Sequence, residues 1–570
     1  MNTYYLAVSP PTVPLRIRLS AGLLVACAAG CGGGVGHTSA DPVPFVQSIA
    51  RAATVTRADE APLVDWPTYA YDAQRTGYNP STSAFTPAAI PGLHLAWFAS
   101  LGSGAQTQPV VATNVAGHAA LVIVGAGNGN EVAYDGLTGD QVWSTYLGSQ
   151  NDGACGTGGI SGTAQYVASL GAVFAVSGNG GTPNHVVLYR MNAATGGITG
   201  RVDVTSLLPG ESTYAHTGIT YANGTLYFGT GSNCEAASWR GQVIAVDPNA
   251  LTVTGRFFTT YGHGGPWGGG GVWSWGGVSV GPAGNVYVAT GNAETPQTVD
   301  AGAVQAPFEA APRENAGFAE HLVKLSSDLS HVLDAQAPAF DFALAYDDLD
   351  YSGTPVLFRP PGCGPLTATQ GKGGKLVVND ADDLSRAHPT FQFSTPSALA
   401  DYIGNPAYSP RTGYLYASIA SATDALAPPG LAALGGCGDR IAWTSAFGPD
   451  SFAYASYGAT PRSAPSVTAG GVVFLGTPCT PNGSGGCGTP GAPAGAVWAV
   501  DASDGTVLGG GSPVLLTGDV VRMAPVVDGS WMWVLDQSGN LYGSTIDPSV
   551  PAFAGRPAAR SGLRELRFPG

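Results

Sequence analysis

The feature that most restricts how this chain can fold is one strand pattern that recurs eight times. It reads "ALVIVGAGNG" at 120, "AVFAVSGNGG" at 172, "GTLYFGTGSN" at 224 and "GNVYVATGNA" at 284. It returns as "GPLTATQGKG" at 364, "GYLYASIASA" at 413, "GVVFLGTPCT" at 471 and "SWMWVLDQSG" at 530. Most copies run apolar, rich in β-branched and aromatic residues, and stop at a Gly, Asn or Ser turn, which is the signature of a short strand closed by a tight turn. The copies lie 52, 52, 60, 80, 49, 58 and 59 residues apart. A period of that size leaves room for four strands per unit.

The flanking sequence supplies those strands. Upstream stand "TQPVVAT", "GTAQYVAS", "HTGITYAN", "WGGVSVGP", "SGTPVLF", "GNPAYSP", "SAPSVTA" and "RMAPVVDG", mostly a small-residue turn and then a short apolar run. Downstream, several copies show a third strand ending in an Asp-rich turn, as in "EVAYDGLTGDQVW", "GQVIAVDPNALTVTG" and "GAVWAVDASDGTVLG". There a Gly supplies positive φ and an Asp bonds its own backbone. A fourth strand follows, as in "DQVWSTYLG". Four short antiparallel strands per unit describe a propeller blade, so the expected fold is all-β, an eight-bladed β-propeller of four-stranded antiparallel blades. The last unit lacks a clear fourth strand, while "LHLAWFASLG" at 93–102 matches "GDQVWSTYLG" of the first. The expectation is therefore that this N-terminal strand completes the eighth blade and closes the ring, leaving no open sheet edge. Insertions at 294–317 and 480–492 lengthen blades four and seven and offer candidate binding loops.

Composition excludes several classes. The chain has 570 residues with 84 Gly, 43 Pro and 11% charged residues, but 44% hydrophobic ones. That apolar content is too high for disorder and suits many short strands joined by turns. A net charge of −15 with only 23 Lys and Arg argues against nucleic acid as a partner. A monomer that binds a protein or small-molecule ligand is expected.

Arg16 and Arg18 precede the apolar run "LSAGLLVACAAGC", followed by the Gly-rich "GGGVGHTSADP". A basic flank, a short apolar core and small residues read as an export signal, too short to span a bilayer. Cys27 and Cys31 each end a box resembling a bacterial lipoprotein cleavage site: Cys27 has Leu24 three residues before it, and Cys31 has Gly30 and the flexible tether. The two remain alternatives, with simple secretion a third. The expected organisation is a signal over 1–30, a linker over 31–63, the propeller over 64–551 and a tail over 552–570, exported to the cell envelope. No other apolar stretch approaches 18 residues, so no second membrane segment is expected.

Six further cysteines, an even number in an exported chain, read as disulfides. Cys479 and Cys487 flank a flexible polar loop and form the best-supported pair; Cys155 with Cys234 and Cys363 with Cys437 is one choice among fifteen connectivities. No pair has CxxC spacing, which removes the common zinc and thioredoxin patterns.

"DWPTYAYDAQRTGYNP" at 65–80, followed by "VGAGNGNEVAYDGLTGDQVW", resembles the opening of the quinoprotein-type propellers, the PQQ-binding-like repeat superfamily. The resemblance runs over essentially the whole chain after the leader. It implies the propeller fold, but the same blades build both PQQ-dependent dehydrogenases and non-enzymatic scaffolds. In the dehydrogenases a Trp forms the floor under the planar quinone, and Trp275 of "WSWGG" matches it. By the same resemblance Asn292, closing "TGN", and Glu235 of "CEAASWRGQVIAVD" match calcium ligands, the latter with one extra residue, and Lys372 of "QGKGGKLVV" matches a quinone contact. "AYDDLDYSGTPVLF" resembles the D-x-W-D-Y segment with Leu349 in place of Trp, and the position taken for the family's base holds Ser326, with Asp328 two residues on. The adjacent Cys-Cys pair that covers the quinone in many members has no counterpart.

Each of these residues also has a plain structural reading. Trp273 and Trp275 can wedge between blades, Asn292 can satisfy a turn, Glu235 and Lys372 can be loop charges, and Asp348 and Asp350 can cap turns. Two functions are therefore expected: an exported binding or scaffold module with no catalytic residue, or a PQQ- and calcium-dependent dehydrogenase of alcohols or sugars.

Overall fold

The computed structural model describes residues 62–555 apart from 152–156, 182, 206–210, 233–238, 261–267, 292, 295–316, 338–350, 352, 373, 394–403, 420–429, 448–463 and 478–494. Cys27, Cys31, Cys155, Cys234, Cys479 and Cys487 lie outside the described residues, as do Glu235, Asn292, Asp348 and Asp350.

Eight blades of four antiparallel strands follow one another along the chain, and in blade seven Tyr78–Asn79 of the N-terminal segment adds a fifth strand, paired parallel with Ser466–Thr468. Every recurring strand of the sequence is the second strand of a blade, from His118–Gly125 in blade one to Trp531–Leu535 in blade eight. Alternation decides which neighbour each side chain meets. In blade one, Leu121 and Ile123 pack toward blade two, while Val122 and Val124 pack toward blade eight. Seven comparable clusters with the same logic fill the remaining blade interfaces or seal the axis. The core is thus a ring of wedges rather than one centre. No described helix is long and apolar enough to cross a membrane.

Closure occurs as the sequence anticipates. His94–Ser100 pairs antiparallel with Asn540–Thr545 and is the outer strand of blade eight. Tryptophans on outer strands then lock onto the next blade. Trp143 donates its indole N–H to the Ala193 carbonyl at 2.9 Å, and its ring lies where a Cβ on Gly196 would come within 2.7 Å. Cys363, in the turn after the first strand of blade five, is bonded to Cys437, in the turn after the third strand of blade six. The pairing expected for these two cysteines is present, and it staples neighbouring blades.

A chain that runs up and down through a blade puts alternate turns at opposite ends. The turns after first and third strands share one face, the turn face. The loops after second strands share the other with the blade-to-blade connections, here the connection face.

The N-terminal segment 66–79 touches the inner strands of all eight blades in order. Trp66 pairs with Val111 of blade one, and the Pro67 carbonyl accepts from Tyr166 N of blade two. Thr68 Oγ1 donates to the Ile219 carbonyl of blade three at 2.6 Å. The carbonyls of Ala73, Gln74, Thr76 and Gly77 accept from Val280, Leu357, Tyr408 and Val467 of blades four to seven at 2.7–2.9 Å. Asn79 Nδ2 donates to the Val527 carbonyl of blade eight at 3.0 Å. A segment with that contact order must coil across the axis, and it closes the channel there. The coil is tight: Ala70, Tyr71 and Arg75 all adopt left-handed φ of 52°, 77° and 64°, a conformation held only where surrounding contacts impose it. Arg75 supplies many of them. It is fully buried and donates to the carbonyls of Tyr69, Gly276 and Val278 and to the hydroxyls of Thr68 and Thr220. Burial lowers its pKa to about 10, so the guanidinium is charged at neutral pH.

Candidate functional site

The axial coil meets the inner strands of all eight blades, and the blade-to-blade connections beside it differ in length. In three connections an apolar residue seats on a glycine of the preceding blade: Ile160 on Gly125, Val272 on Gly229 and Val521 on Gly476, where a Cβ on each glycine would sit 2.5 Å from that side chain. From there, six residues lead to the inner-strand contact with the axial coil in blades two (Ile160 to Tyr166) and eight (Val521 to Val527), but eight in blade four (Val272 to Val280). The two extra residues form a bend in which Gly277 N donates to the Ser274 carbonyl at 3.0 Å and Gly277 has φ +68°. That conformation suits glycine, and the bend throws Trp275 across the axis.

Trp275 therefore packs against residues from distant parts of the ring: Tyr69 and Ala70 of the axial coil, Ala464 of blade seven, and Met523 and Ala524 of blade eight. It is 4% exposed, and its carbonyl accepts from Gly218 N at 2.7 Å. Its indole N–H finds no acceptor among the described residues. A buried N–H without a partner costs about 1–3 kcal/mol, so a polar group arriving at this point would be favourably received.

The next residue occupies an equivalent sequence position in each described connection. Those described are Gln106, Ser161, His216, Trp273 and Arg522 in blades one, two, three, four and eight, all but Ser161 half-buried rather than buried. His216 and Trp273 are in contact, ring centroids 5.6 Å apart, and the aromatic run continues to Tyr214 at 4.5 Å from His216 and Trp239 at 5.2 Å from Trp273. The glycines at 231 and 271 make room for the Trp273 ring, which a Cβ at either would approach within 3.1 and 2.5 Å.

Lys372, the expected quinone contact, is half-buried just after the second strand of blade five, on the connection face with Trp275. Glu235 and Asn292, the expected calcium ligands, lie outside the described residues. Ser326 is elsewhere. It sits in the exposed turn between the third and fourth strands of blade four, where its hydroxyl donates to Asp328 Oδ1 at 2.6 Å. Three hydrogen bonds from Ser326 and Ser330 hold the Asp328 carboxyl down at about 2. This is the turn face, opposite the connection that carries Trp275, so the position taken for the family's base is not brought near Trp275. Among the described residues, no three His, Cys, Asp or Glu side chains gather closely enough to hold a metal.

One residue escaped the sequence reading. Glu320 is 2% exposed with φ +55°, its N–H donates to the Gly291 carbonyl, and its Oε2 accepts from Tyr351 N, both at 2.9 Å. It ties the loop after the second strand of blade four to the connection leading into blade five. Nothing in "GFAEHLVKL" sets it apart, since its role depends on partners 29 and 31 residues away.

No protein-family model and no curated protein matches the chain. Solved structures do. The quinohemoprotein alcohol dehydrogenase of Comamonas testosteroni superposes with a TM-score of 0.61 at 17% identity, over 90% of this chain and 84% of that one. The chain has the fold of the quinoprotein dehydrogenases. A second quinohemoprotein alcohol dehydrogenase, from Pseudomonas putida HK5, gives 0.63 at 15% identity over 87% and 82% of the two chains. A europium-containing methanol dehydrogenase gives 0.60 at 15% over 84% and 98%. The quinoprotein fold thus extends over nearly all of the described chain, and at these identities the likeness concerns fold alone.

Proposed function

We propose that the protein is an exported binding module of the quinoprotein type, which takes a small flat ligand beside Trp275 on the connection face. The observation that carries this reading is the placement of Trp275, thrown across the closed axis by a bend that the compared connections of blades two and eight lack. Trp275 fits the floor position of a PQQ site, and Lys372 on the same face fits a contact to the quinone. A bound quinone would supply a two-electron acceptor. Export is supported by the leader with Cys27 or Cys31 as lipid anchor, and by the Cys363–Cys437 bridge, which requires an oxidising compartment.

The test is a titration of purified protein with PQQ, with and without Ca²⁺, followed by tryptophan fluorescence and equilibrium dialysis. Uptake of one equivalent by the wild type and none by W275A is expected. No uptake at saturating PQQ removes the reading in favour of a scaffold role.

The second reading is a PQQ- and calcium-dependent dehydrogenase of an alcohol or sugar. It is favoured by the three solved neighbours, each a dehydrogenase. Dye reduction by the PQQ-loaded protein with a panel of alcohols separates the two readings.

A further inference from the structure

The Cys363–Cys437 bridge lies at the rim of the seam between blades five and six, on the turn face and away from Trp275. Both cysteines are half-buried, packed against the edge of the apolar cluster that fills the seam. The loop that carries Cys363 stands clear of the molecule. Pro361, Gly362, Gly364 and Pro365 are exposed, and a Cβ on Gly362 or Gly364 would meet nothing within 4 Å. Beside this loop is an open hollow of about 580 Å³, lined by Arg359, Pro361, Tyr408, Pro410 and, of the two bridged cysteines, Cys363 alone.

One charge borders the hollow. Arg359 is exposed, and its Nε donates to the Cys363 carbonyl at 3.3 Å, which holds the guanidinium beside the bridge. The Tyr408 hydroxyl fixes the same residue by donating to the Arg359 carbonyl at 2.9 Å. Among the described residues no carboxylate forms an ion pair with Arg359. Beyond Cys437 the exposed neighbours Asp439 and Arg440 are of opposite sign, so that side offers an anion no net attraction.

We infer that Cys363 is a site of reversible S-thiolation by small anionic thiols, which enter the hollow beside Arg359 and open the bridge by exchange. The thiolate sulfur attacks Cys363 Sγ and forms a new S–S bond to it. The bond between the two cysteines breaks, and Cys437 leaves as a thiolate that takes a proton from water. One disulfide is consumed and one is formed, so no oxidant or reductant beyond the thiol is needed. The reverse attack by Cys437 restores the bridge and releases the thiol.

Three physical grounds support this. Exchange depends on which sulfur is accessible, and the hollow reaches Cys363. The attacking species is an anion, so a guanidinium held at the reacting sulfur favours both its arrival and the charge spread over the sulfurs during transfer. In a chain of net charge −15, an anionic thiol is otherwise repelled. Finally, the bridge sits at the rim of the seam, so the apolar cluster behind it stays packed while the bond is exchanged.

The test uses the full-length protein with its bridges formed, and three thiols: 2-mercaptoethanesulfonate, which is anionic, 2-mercaptoethanol, which is neutral, and cysteamine, which is cationic. After acid quenching and alkylation, peptide mass spectrometry reads where each thiol is attached and how fast. The adduct is expected on Cys363, with the alkyl group on Cys437. Per unit of thiolate, the anionic thiol should react about fivefold faster than the neutral one at low ionic strength, with the cationic one slowest, and the spread should close at high salt. R359Q should abolish the spread and R359K should keep it, with melting curves matching wild type showing that the fold is intact. An adduct on Cys437, equal rates for the three thiols, or an unchanged spread in R359Q overturns the inference. So does a folded protein that takes no adduct at Cys363 under conditions where the urea-unfolded protein reacts.

Discussion

Trp97 and Trp533 donate their indole N–H groups to the same acceptor, the carbonyl of Gly136, each at 2.9 Å. Trp97 lies on the N-terminal strand and Trp533 on the second strand of blade eight, while Gly136 belongs to blade one. One carbonyl thus receives both sides of the seam where the ring closes, and the two ends of the chain are joined through it.

The seam should therefore be a single point of weakness. Trp97 is buried at 4% exposure, against glycines 139 and 543, where a Cβ would come within 2.6 and 2.1 Å of its ring. W97A removes the indole and leaves a cavity that glycines cannot fill, at a cost of roughly 3–5 kcal/mol. Urea unfolding should show the midpoint fall, with early proteolysis near residues 94–100. A midpoint within error of wild type would mean that the seam is held by backbone pairing alone.

Arg75 carries the axial coil. R75M removes the donors that satisfy three carbonyls and two hydroxyls and leaves those groups buried without partners, costing at least about 3 kcal/mol. Because Trp275 rests on Tyr69 and Ala70, the same change should blue- or red-shift tryptophan emission and weaken any ligand held over Trp275. Unaltered emission and affinity would separate the coil from Trp275.

The Cys363–Cys437 bridge closes a loop across 74 residues, and the loss of that constraint on the unfolded chain is worth about 4 kcal/mol. Reducing agent should lower the urea midpoint of the wild type but not that of the C363S/C437S double variant. An equal response in both would assign the effect to another bridge.

Glu131 makes stability depend on pH. It is fully buried in the third strand of blade one, neither carboxyl oxygen has a partner among the described residues, and burial raises its pKa to about 8. The folded chain keeps this proton where the unfolded chain has released it, near its ordinary value of 4.5. Stability from this group is therefore fully present below about pH 4.5 and is lost as pH rises toward 8, on the order of 5 kcal/mol in all. E131M should melt higher than wild type at pH 8, with the difference shrinking toward pH 5. A difference independent of pH would show that the carboxyl is already charged in the folded state.

The ring was legible in the chain because each blade repeats a local, period-two pattern, and because the lone strand at 94–100 carries the same pattern as the missing eighth partner. The Cys363–Cys437 pair was one choice among many, settled only when blades five and six came side by side. Trp275 stood out in sequence through resemblance, but its place at the axis depends on two extra residues in one connection and on the coil of residues 66–79 with which it clusters. The same holds for Glu320, Glu131 and the turn-face location of Ser326. Sequence alone determined the eight strands' recurrence and the closing strand, since both follow from side chains alternating across a pleat. Only the tertiary structure decided what meets at the axis, because residues brought there from eight blades and the N-terminus have no spacing in common along the chain.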